Sequence, residues 1–128
     1  MRKTMTTALI ALALVVPAAP AAQAGDDGEI IRTGSCSGSA DWKLKAKRDD
    51  GRLEVEWEVD SNRSGQTWRV RIYDNGDRVA ATRRTTQPPS GSFEIERHIA
   101  NRAGSDHIVA RSRHLASGQV CRGSLTFA

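Results

Sequence analysis

The sequence predicts an all-β domain, a seven-stranded antiparallel two-sheet sandwich stapled by one disulfide. Three observations carry this. From Asp41 onward apolar and polar residues alternate with period two, and no stretch has a helical period. Seven such runs are separated by turn chemistry, including Asp50-Gly51, Asn75-Gly76 and Ser117-Gly118. The chain has two cysteines, Cys36 and Cys121, near opposite ends of the alternating region.

The N-terminal segment is a separate matter. Arg2 and Lys3 precede an apolar run, Ala8 to Val16, that is too short to cross a bilayer. Ala22-Gln23-Ala24 supplies a small-x-small cleavage site. Together these predict a secretory signal peptide over 1–24 and a released, extracellular, bacterial protein with no membrane span after cleavage. Cleavage leaves seventeen basic against fifteen acidic side chains, a net charge of +2. So small an excess implies no polyanion partner by itself; the distribution of charge decides. Residues 25–35, rich in Gly and Asp, are expected to be a flexible leader, with a single domain over 36–128. In an oxidising exterior Cys36 and Cys121 are expected to pair. A bridge closing nearly the whole domain stabilises it by about 4–5 kcal/mol through chain entropy.

The strands run in order along the chain. Trp42, Leu44 and Ala46 alternate with Lys43, Lys45 and Lys47. Leu53, Val55, Trp57 and Val59 alternate with Glu54, Glu56 and Glu58. Trp68, Val70 and Ile72 alternate with Arg69, Arg71 and Tyr73, and Val79 and Ala81 mark a weaker fourth strand. Phe93 and Ile95 alternate with Glu94, Glu96 and His98. Ile108, Ala110 and Ser112 alternate with Val109, Arg111 and Arg113. Cys121, Leu125 and Phe127 alternate with Arg122, Ser124 and Thr126. The Asp50-Gly51 turn sets Lys47, Lys45 and Lys43 opposite Glu54, Glu56 and Glu58, with Trp42, Leu44 and Ala46 opposite Val59, Trp57 and Val55. A one-residue slip would bury the charges. Asn75-Gly76 places Ile72 opposite Val79. Ser117-Gly118 places Ala110 against Leu125, Ile108 against Phe127, Arg113 against Arg122 and His114 against Cys121.

Strand number and order resemble immunoglobulin-like and fibronectin type III-like domains over roughly 36–127. Asp106-His107-Ile108-Val109-Ala110 is similar to the sixth strand of such domains, and Trp57 to the core aromatic of the second. The resemblance is one of architecture and implies the sandwich. The cysteine pair departs from the immunoglobulin bridge, which joins the second and sixth strands. The whole chain also resembles small exported actinobacterial proteins, which implies a compartment and a fold but no activity.

The search for chemistry excludes more than it finds. His98, His107 and His114 lack metal-ligand spacing, so no metal is expected. Glu54, Glu56, Glu58, Glu94 and Glu96 face out of a flat sheet beside three lysines, which implies a solvated, salt-bridged face. There is no Gly-x-Ser-x-Gly elbow, Gly-rich phosphate loop or Ser/His/Asp set. No enzyme and no cofactor are expected. Trp42, Trp57 and Trp68 share the aliphatic phase and belong to the core, leaving Tyr73 as the outward aromatic. One feature stands above background. If the third, fourth, sixth and seventh strands share a sheet, its outer face carries Arg69, Arg71, Tyr73, Arg78, Arg111, Arg113 and Arg122. Guanidinium groups bind phosphate and carboxylate bidentately, so the partners implied are a wall polyanion or an acidic protein. The sequence thus points to a secreted, monomeric, non-enzymatic interaction module. The alternative is a secreted inhibitor of an exogenous hydrolase, presenting the loop Gln87-Pro88-Pro89-Ser90-Gly91 or Asn101–Asp106.

Overall fold

Alternation gives each strand one apolar and one polar face, and burying the apolar faces requires two sheets packed together. A computed structural model describes residues 28–128 and has this arrangement; the segment 1–24 lies outside the described residues. There are eight strands: β1 (Ile30–Ser35), β2 (Asp41–Asp49), β3 (Arg52–Asp60), β4 (Thr67–Asp74), β5 (Asp77–Thr85), β6 (Ser92–Ala100), β7 (Asp106–His114) and β8 (Val120–Phe127). They form two antiparallel sheets, ordered β1-β2-β3-β6 and β5-β4-β7-β8.

The additional strand is β1, which lies within the segment expected to be a flexible leader. It pairs along the free edge of β2, with Ile30 opposite Ala46 and Gly34 opposite Trp42. Its side chains do not alternate cleanly, because Ile31 is exposed beside the partly buried Ile30. Backbone pairing and the fit at Gly34 define the strand. A Cβ there would lie 2.6 Å from the Trp42 ring.

The β2–β3 hairpin has the register expected from Asp50-Gly51, with Lys43, Lys45 and Lys47 opposite Glu58, Glu56 and Glu54. Asp50 and Gly51 both have positive φ, as a tight two-residue turn requires. The β4–β5 hairpin departs from expectation. Tyr73 faces Arg78, but a bulge comes next, so Ile72 faces Ala80 rather than Val79. Every residue of β5 beyond the bulge is therefore inverted, and Ala81 joins the outer phase. The β7–β8 hairpin is displaced by two. Ser117-Gly118 is the end of a four-residue loop closed by the His114 amide donating to the Gln119 carbonyl at 2.9 Å. Ile108 therefore faces Leu125, Ala110 faces Gly123 and Arg111 faces Arg122, while Ser112 takes the place opposite Cys121. An even displacement leaves each side chain on its predicted face.

The core lies between the sheets. Trp57, Trp68, Leu44, Leu53 and Ile72 are among the largest fully buried side chains. A buried indole N–H usually finds a partner; Trp57 Nε1 donates to Ser112 Oγ across the sandwich at 2.6 Å, whereas Trp68 Nε1 has none. Trp42 packs at the margin of the core, stacked on Trp57 with ring centroids 5.5 Å apart. Its far edge lies against β8, where a Cβ at Gly123 would meet the ring at 2.5 Å. Cys36 and Cys121 form the disulfide, 85 residues apart in sequence, joining the end of β1 to the start of β8. His114, expected beside that bridge, instead stacks on Trp68 with centroids 5.2 Å apart. The longer loop moves it away from Cys121.

Candidate functional site: an arginine face

Strands β4, β5, β7 and β8 are the four whose outward residues are richest in arginine, and they form one sheet. Register turns that composition into a lattice. Arg69 faces Arg83 on one side and Arg113 on the other. Two residues further along β4, Arg71 faces Arg111, which in turn faces Arg122. Six arginines thus occupy two consecutive rungs of three. Neighbours across strands are spaced by about 5 Å and the rungs by about 7 Å. Tyr73 and Arg78 face each other in the next rung. Arg69, Arg71, Arg111 and Arg113 enclose a shallow concavity of ≈180 Å³.

Arg83 has no counterpart in the sequence reading. With Val79 and Ala81 turned inward, Arg83 falls on the inner phase. The bulge at Ile72/Tyr73 turns it outward, and no feature of a single sequence announces that bulge. The sequence-predicted Arg69, Arg71, Tyr73, Arg78, Arg111, Arg113 and Arg122 all lie on this face.

No Asp or Glu stands on the outward phase of these four strands. Among the described residues none of these arginines has a carboxylate within ion-pair distance. Like charges opposed across a ladder are mildly unfavourable to folding. The arrangement therefore presents unneutralised, planar hydrogen-bond donors to solvent at fixed spacing.

The outer face of the other sheet differs. Lys45 Nζ lies 2.9 Å from Glu56 Oε2, and Lys47 Nζ 3.7 Å from Glu54 Oε2. The hydrogen bond to Glu56 raises the Lys45 pKa. Burial pushes the Glu56 carboxyl up, but the bond and charge of Lys45 outweigh it and hold it below the ordinary value. Toward β6 pairing fails, because Glu56 faces Glu96 and Glu58 faces Glu94. Burial, together with Glu56 and Glu58, raises the Glu94 pKa.

Beneath the arginine sheet is a feature the sequence reading missed. Asp74 and Asp106 occupy inward phases of β4 and β7 and are 1% and 0% exposed. Neither Asp74 oxygen has a hydrogen bond. Burial, then the neighbouring Asp106 carboxyl, pushes the Asp74 pKa up to about 6. Arg102 limits the rise, its Nε 3.5 Å from Asp74 Oδ2 while its Nη1 holds Asp77 at 2.9 Å.

A polar cavity of ≈490 Å³ opens at one end of the sandwich, lined by Ser39, Arg63, Gln66, His114 and Ser117 among others. His114 Nδ1 and Ser117 Oγ lie 2.6 Å apart. Ser117 Oγ also accepts the Gln119 amide at 3.1 Å, so it caps the loop. Among the described residues no carboxylate lines this cavity to orient the imidazole. In the expected inhibitory loop Gln87-Pro88-Pro89-Ser90-Gly91, Gln87–Ser90 is exposed and Gly91 is buried, its amide donating to the Gln87 carbonyl; in Asn101–Asp106, Ala103–Ser105 is exposed and Asp106 is buried.

No protein-family model matches the chain, and no curated protein is similar to it in sequence. Among solved structures, it is similar to a chitin binding domain from Burkholderia pseudomallei at 14% identity and a TM-score of 0.38. That alignment covers 62% of this chain and 53% of the other, so the chain spans about half the length of that structure.

Proposed function

We propose that the protein is a secreted, non-enzymatic binding module of the immunoglobulin-like or fibronectin type III-like class. It engages an anionic polymer of the cell wall through the outer face of β5-β4-β7-β8. The observation that carries this reading is the pair of three-arginine rungs on a face without a carboxylate. Arginine suits the role because its fork donates two parallel hydrogen bonds to a phosphate or carboxylate and remains charged at any physiological pH. Rungs spaced at fixed intervals let several anionic groups of one chain bind together, so weak contacts combine. The two-sheet antiparallel arrangement, β1-β2-β3-β6 against β5-β4-β7-β8, supports the sandwich class, with β1 added at an edge. The disulfide suits an oxidising exterior.

The test is retention on heparin and on isolated wall polymer across a salt gradient, for the protein and for a variant with Arg69, Arg71, Arg111 and Arg113 changed to Ser. We expect the variant to lose retention with a melting temperature no lower than that of the unaltered protein. If each arginine neutralises one anionic group, the slope of log affinity on log salt falls by about 3. Equal, weak retention by both proteins refutes the reading.

A further inference from the structure

The outer face of β1-β2-β3-β6 carries a second constellation, independent of the arginines. Where the β2–β3 hairpin turns, Asp49 of β2 and Glu54 of β3 meet His98 of β6, which is directly opposite Glu54. His98 Nε2 lies 3.1 Å from Asp49 Oδ2 and 3.7 Å from Glu54 Oε2. Glu96 Oε1 approaches the same nitrogen at 3.8 Å. The ligand atoms of Asp49, Glu54 and His98 all lie within 4.8 Å of one another. One imidazole nitrogen is thus the common focus of carboxylates from three strands.

We propose that Asp49, Glu54 and His98 bind a divalent cation of the zinc type, with Glu96 or water in the fourth position. Three arguments support this. In a tetrahedral site with bonds of about 2.0–2.2 Å, neighbouring ligand atoms are about 3.4 Å apart. The two imidazole–carboxylate separations bracket that distance, so the ion needs only small side-chain adjustments. The donor set of one imidazole and two carboxylates suits zinc and its transition-metal neighbours, whereas magnesium and calcium favour all-oxygen shells of six or more. The charges also close, since two carboxylates and a neutral imidazole neutralise the ion. The backbone is prepared as well. The Asp50-Gly51 turn fixes Asp49, the Glu54 side chain is only 11% exposed, and Arg52 Nη2 donates to the His98 carbonyl at 2.7 Å. Lys47, 3.7 Å from Glu54 Oε2, is the competing cation, and its long stem lets it withdraw into solvent. An ion here would clasp the hairpin tip to β6, which is the edge of its sheet.

The histidines lack metal-ligand spacing in the sequence, because these three ligands come from three strands, joined by a β3–β6 pairing that local turns do not specify. The experiment is calorimetric titration of the tag-free protein with zinc chloride, with magnesium chloride as the contrast, and NMR of the histidine rings during the same titration. We expect one saturable zinc site, a melting temperature raised by zinc and not by magnesium, and ring shifts at His98 rather than His107 or His114. His98→Gln and Asp49→Asn should each weaken binding at least about tenfold, while His107→Gln leaves it unchanged. The ring shifts in the unaltered protein decide the matter even if a variant folds poorly. Absence of saturable binding, shifts centred on another histidine, or wild-type affinity in His98→Gln overturns the proposal.

Discussion

The two outer faces of this sandwich are built on the same alternation but treat charge in opposite ways. On β2 and β3, lysine and glutamate meet rung by rung, as in the 2.9 Å Lys45–Glu56 pair. Those charges fix register and keep the sheet soluble, and each exposed pair contributes only a few tenths of a kcal/mol. On β4, β5, β7 and β8 the rungs oppose arginine to arginine. Folding gains nothing from that opposition, whereas an anionic ligand would. Folding explains the lysine–glutamate rungs of β2 and β3; it does not explain the arginine rungs of the other sheet, nor the glutamate pairs that β3 makes with β6.

The comparison can be tested at three strengths. The largest effect concerns a charge that is dry and only partly offset, by Arg102. Asp74 has a folded-state pKa of about 6, above its unfolded value of 3.8. The unfolded state therefore releases this proton first, so this group's contribution to stability is full below about pH 4 and is lost as pH rises through 6. The whole shift corresponds to roughly 2–3 kcal/mol. Asp74→Asn should remove that slope and raise stability at pH 7, as read by urea unfolding of both proteins from pH 4 to 7. An unchanged pH profile would mean that Arg102 already compensates the carboxylate. Of intermediate size is Gly123→Ala, which would drive a methyl into the Trp42 ring at 2.5 Å. Overpacking of this kind costs about 1–3 kcal/mol, visible as a lower denaturant midpoint with altered tryptophan fluorescence. The smallest effect is the sharpest for the faces themselves. Arg111→Glu places a carboxylate between Arg71 and Arg122. It should stabilise the fold by about 0.5 kcal/mol while weakening retention on polyanions. A loss of stability instead would show that the arginines already serve the fold.

Much of this architecture was legible in the sequence, and the misses have identifiable causes. Asp50-Gly51 fixed the β2–β3 register because apolar and charged rungs match only in that alignment. The four arginine-rich strands fall in one sheet, which meets the condition for a shared face that local turns and register left open. The bulge in β5 was not legible, since Asn75-Gly76 specifies the turn and leaves the pairing further along β5 undetermined; Arg83 was missed for that reason. The β7–β8 slip was harmless because it was even. β1 was hidden because edge pairing is a backbone property and its side chains scarcely alternate. The buried carboxylates were readable in principle. Asp74 continues the phase of Trp68, Val70 and Ile72, and Asp106 that of Ile108 and Ala110.

The disulfide has a mechanical consequence. Cys36 closes the first strand and Cys121 opens the last, so nearly the whole sandwich lies between them. A pull applied across residues 28 and 128 can peel only the short segments outside the bridge. Tension then runs through the sulfur–sulfur bond and bypasses the six strands it encloses. The domain should behave under load as an almost inextensible link, lengthening fully only once a reductant has cut the tie.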